Sequence, residues 1–93
     1  MVGALNNKTI MEKIRNQIND IITYNCDDFN SLRARYDTLG NRIDEGIMKM
    51  KEAGVFTDAE IQEISTFAHN LRRDRYIEAK KALIESMRNA FEF

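Results

Sequence analysis

Ninety-three residues, 43% apolar and 31% charged, describe one folded domain with no room for a second independent core. Lys and Arg total 14 against 15 Asp and Glu, so no global field of either sign draws in nucleic acid or a membrane surface, and an acidic imitation of DNA is equally unsupported. Cys26, the single cysteine, rules out an intramolecular disulfide and any zinc site built on two thiolates, and no apolar run approaches the roughly 20 residues of a membrane span.

Met1 to Asn7 carries neither the charged stretch nor the apolar core of a secretory signal, and a cytoplasmic location is the expectation. Proline is absent and glycine occurs only at 3, 40, 46 and 54, so long helices are permitted. Thr9 and Glu12 form a T-x-x-E capping box, which predicts a first helix over about residues 10–24. Ile10, Ile14, Ile18 and Ile21, flanked by Met11 and Ile22, recur along one face of it. The segment Asn25-Cys26-Asp27-Asp28 then breaks the pattern with residues whose short side chains compete for backbone donors, and Asp27 or Asp28 should cap the next helix.

A second helix is predicted over 28–53, where Phe29, Leu32, Tyr36, Leu39, Ile43, Ile47 and Met50 alternate by threes and fours before Gly54 stops the chain. Gly40 and Gly46 lie on the edges of that face. Each costs about 1 kcal/mol relative to Ala, which implies close packing on helix three, a groove open to a ligand or partner helix, or a kink near Gly40. Thr57 and Glu60 form another T-x-x-E box, and the third helix should cover 58–90 with Ile61, Ile64, Ala68, Leu71, Ala79, Leu83, Met87 and Ala90 on its core side. At about 1.5 Å per residue it is close to 50 Å long and should overhang so small a body. The loop from Gly54 permits only an antiparallel hairpin between helices two and three, with helix one across or beside it. The fold class is therefore all-α: one domain over 1–93, a short N-terminal helix plus a long antiparallel hairpin, like a three-helix bundle.

Helix three also bears a second apolar stripe, Ile77, Ile84 and Phe91, spaced by sevens and set away from the first, with Phe93 adding apolar surface near its end. Helix one of the same chain is one cover for it; a second chain is the other. A basic and aromatic cluster lies nearby. His69, Arg72, Arg73 and Tyr76 follow helical spacings that can converge on one anion, and Arg72 and Arg75, close to the core side, need acidic partners or a ligand. Asp37, Asp44 and Glu45 on helix two are candidate internal partners.

The catalytic inventory is thin: one His, one Cys beside two aspartates that disfavour its thiolate, and no nucleophile elbow, zinc helix, Walker loop or dinucleotide fingerprint. Glu12, Ile14, Arg15, Ile18, Asp20 and Ile21 resemble the opening of the small all-helical chorismate mutases, and the resemblance implies that Arg15 binds a substrate carboxylate. The likeness ends at Asn25–Asp28, where that family's first helix runs on, and the family's later lysine and glutamine have no clear counterparts, so membership is not inferred. The reading is a protein–protein interaction module acting as regulator, inhibitor or adaptor of a larger protein and self-associating through Ile77, Ile84, Phe91 and Phe93, without cofactor, metal or membrane. The alternative is a phosphate ligand, nucleotide or nucleic acid held by His69, Arg72, Arg73, Arg75 and Tyr76.

Overall fold

A computed structural model describes residues 3–22 and 28–91, with side chains from Asn7 onward. Among the described residues there are three helices and no strands: α1 (Gly3–Ile21), α2 (Phe29–Ala53) and α3 (Asp58–Phe91). The predicted helix end at Tyr24, the turn residues Asn25, Cys26 and Asp27, and Phe93 lie outside the described residues. No helix among those described is long and apolar enough to cross a membrane.

Local chemistry explains most of the boundaries. Asp28, in extended backbone, accepts the Ser31 N–H at 2.8 Å and caps α2. Gly54 ends it in the left-handed conformation at φ 69°, donating its N–H to the Lys51 carbonyl. The Thr57–Glu60 box opens α3 reciprocally: the Thr57 N–H reaches Glu60 Oε1 at 2.9 Å and the Glu60 N–H reaches Thr57 Oγ1 at 3.1 Å.

The first boundary is different from the expected one. α1 begins at Gly3, so Thr9 lies inside the helix rather than at its start. Tertiary contact outweighs the local signal there. The Asn7 side chain donates to the Val55 carbonyl at 2.9 Å and to Glu60 Oε1 at 3.1 Å, pinning α1 to the α2–α3 turn upstream of the predicted cap.

α2 and α3 form the antiparallel hairpin, and α1 lies beside it, running in the direction of α3 and leaning on α3 more than on α2. One buried group gathers Ile22, Leu32, Tyr36, Leu39, Ile43 and Ala68; another gathers Met11, Met50, Ile61 and Ile64, and half-buried Ile18 and Ile47 join the two. On α1 the buried anchors are Met11 and Ile22, while Ile14, Ile18 and Ile21 are half-buried and Ile10 is exposed. Phe29, placed in the α2 core pattern, is exposed. α2 is one helix through Gly40 and Gly46, so no break divides it.

The core side of α3 stops at Leu83, which packs against the group around Leu32. Beyond it residues 84–91 are all exposed, including Met87 and Ala90, which the spacing had assigned to the core. The cause is simple geometry: α2 begins at Phe29, so nothing described lies opposite the last turns of α3. The overhang draws the molecule out to 66 × 20 × 16 Å.

Candidate functional site

The outer face of α3 carries the largest concentration of exposed apolar side chains. Ile77 and Ile84 are 43% and 42% exposed, Met87 47% and Phe91 73%. All four fall on a strip one-third of the helix circumference wide or less, while Ile61, Ile64 and Ala68 point the other way into the bundle and half-buried Leu83 borders the strip. α1 packs along the first half of α3, with Asn7 on Glu60 and Asn19 on Arg75, and does not cover this strip. Of the interface residues read from the sequence, the structure therefore brings Ile77, Ile84 and Phe91 together on one exposed face. Met87 joins them, a residue that spacing alone had turned inward.

One edge of the strip is lined by Glu78, Lys81, Glu85 and Arg88, all exposed. None of the four is ion-paired among the described residues. Their alternation of sign at steps of three, four and three was open to view in the sequence but draws notice only once the neighbouring strip is known to be uncovered.

The basic cluster is dispersed by its partners. His69 Nε2 lies 3.5 Å from Asp44 Oδ1 on α2, an ion pair when the imidazole is protonated. Arg72 Nε donates to the Tyr36 main-chain carbonyl at 2.7 Å, half-buried between α2 and α3. Gly40 gives that approach room: a Cβ there would stand 3.2 Å from Arg72 Nε, a tight contact. Arg73 lies outward beside Asp74 at 3.3 Å, whereas Arg75 Nη2 turns to Asn19 Oδ1 of α1 at 3.2 Å. The Tyr76 ring packs on Tyr36 with centroids 5.3 Å apart and planes tilted by 59°. These side chains thus face α2, solvent and α1 in turn and do not converge on one point. Arg15, the residue singled out by the chorismate mutase resemblance, is held by Glu63 at 2.8 Å.

Because α1 leans on α3, a groove of about 700 Å³ opens between α1 and α2. Ile14, Ile18 and Ile21 form one wall and Ile47 the other, with Arg42, Glu45 and Lys49 beside it. Gly46 lines the groove and a Cβ there would meet nothing within 4 Å. The two helix-interior glycines therefore differ: Gly40 admits a guanidinium, and Gly46 borders open space.

No family model, no curated protein and no solved structure matches the chain.

Proposed function

We propose that this chain is a protein-binding module, a regulator, inhibitor or adaptor of a larger protein, that also self-associates through the outer face of α3. The observation that carries the reading is the exposed strip of Ile77, Ile84, Met87 and Phe91, placed where no part of the described chain covers it. Seven-residue spacing suits a helix seam, and burying such a strip against a second helix returns about 25 cal/mol for each Å² of apolar surface removed from water. The runner-up, phosphate recognition by the basic cluster, has less support, since His69, Arg72 and Arg75 already engage groups of their own chain.

Light scattering on the purified protein tests this. The wild-type chain should give a mass above the monomer at micromolar concentration, and Ile84→Asp should return it to monomer, with circular dichroism confirming that the bundle stays folded. Arg75→Gln, on the side of α3 that faces α1, should leave the assembly intact. If Ile84→Asp alters neither the assembly nor any partner interaction, the outer face of α3 is not a binding surface.

A further inference from the structure

We infer that the outer face of α3 pairs with the same face of a second copy in antiparallel orientation, in a register set by Glu78, Lys81, Glu85 and Arg88; this inference rests on the binding role just proposed for that face. Two copies related by a two-fold axis perpendicular to an antiparallel helix pair present the same edge to each other with the order reversed. Along α3 the edge reads minus, plus, minus, plus at steps of three, four and three, and reversal turns it into plus, minus, plus, minus.

Each of these four charges then meets its opposite. Glu78 lies level with the partner's Arg88, Lys81 with the partner's Glu85, and the two-fold repeats both pairs. The same register lets the apolar strips interdigitate, because the partner's Ile84 and Met87 enter at levels between Ile77 and Ile84 of the first chain. Lys80, the charged residue on the strip itself, falls level with the partner's Ser86, with its aliphatic stem able to cover apolar surface.

A parallel copy has no such match. It lays the charged edge against the opposite edge of the strip, where Tyr76, Leu83 and Ala90 offer no charge. Alternating charges along a helix also support that helix through neighbours three and four apart, yet none of these four is ion-paired within its own chain among the described residues. A second antiparallel chain gives all four an opposite charge at once. Electrostatic complementarity of this kind fixes orientation and register more than raw affinity, which here comes from the apolar strip.

The test is a charge-swap experiment on the full chain, read as the dimer dissociation constant by sedimentation at low salt, with circular dichroism to confirm folding. Lys81→Glu alone and Glu85→Lys alone each set like charges at two symmetric points and should weaken the dimer about tenfold. An equimolar mixture of the two variants should recover wild-type affinity, because the substituted side chain at position 81 of one chain then faces the one at position 85 of the other with opposite sign. That recovery should fade at high salt. Single reversals without effect, or a mixture no tighter than either variant alone, overturn the antiparallel register. If those results occur while Ile84→Asp still dissolves the dimer, the strip remains a binding surface and only the register is lost. A wild-type chain that is monomeric throughout overturns self-pairing, and a dimer unaffected by Ile84→Asp removes the strip from the interface altogether.

Discussion

Gly40 and Arg72 show how one missing methyl group can decide where a charge goes. Arg72 sits on the core side of α3, where an unpaired guanidinium is costly, and its Nε reaches the Tyr36 carbonyl past residue 40, where a Cβ would crowd it at 3.2 Å. Gly46 serves no contact of that kind. Gly46→Ala should therefore raise stability by about 1 kcal/mol, the usual difference between the two residues in a helix interior, measured by urea denaturation. Gly40→Ala should gain distinctly less or lose stability, since the new Cβ presses on Arg72 at 3.2 Å. Equal gains at both positions would contradict the role assigned to Gly40. The sequence made both glycines suspect but could not separate them, because a cost in helix propensity looks the same whether a neighbour or empty space lies outside.

The helices were legible wherever their ends depend on residues adjacent in sequence. Asp28, Gly54 and the Thr57–Glu60 box each act on backbone groups within a few residues, and the structure uses all three. Thr9 and Glu12 offered the same pattern without the same outcome. α1 instead starts at Gly3 and is pinned by Asn7 to Val55 and Glu60, contacts across 48 and 53 residues of chain that no local rule reports. Thr57→Ala should accordingly cost about 1 kcal/mol, as for other lost N-caps. Asn7→Ala should cost a similar amount, about 1 kcal/mol, and should loosen α1 first, seen as faster amide exchange in α1 than in α2. If α1 and α2 exchange alike in that variant, Asn7 is not what anchors the first helix. Met87 and the basic cluster escape sequence reasoning for a related reason: periodicity tells which residues share a face, not where the opposing helix ends or which neighbour takes each arginine.

At the scale of the whole molecule, apolar side chains divide into those the bundle buries and those it leaves on α3, and substitutions should separate them. Ile64, 1% exposed between α1 and α2, should cost about 2–4 kcal/mol on truncation to Ala. Ile84, 42% exposed, should cost the monomer little and act instead on association. An overhang of α3 with nothing opposite it among the described residues is poorly supported in an isolated chain, because a helix draws most of its stability from packing an amphipathic face. The most direct measurement is amide hydrogen exchange over residues 84–91 at rising protein concentration, in the wild type and in Ile84→Asp. Exchange there should slow with concentration in the wild type and stay fast in the variant. Rates in 84–91 that are the same at every concentration in both proteins would contradict the claim that this face of α3 is made to be covered by another chain.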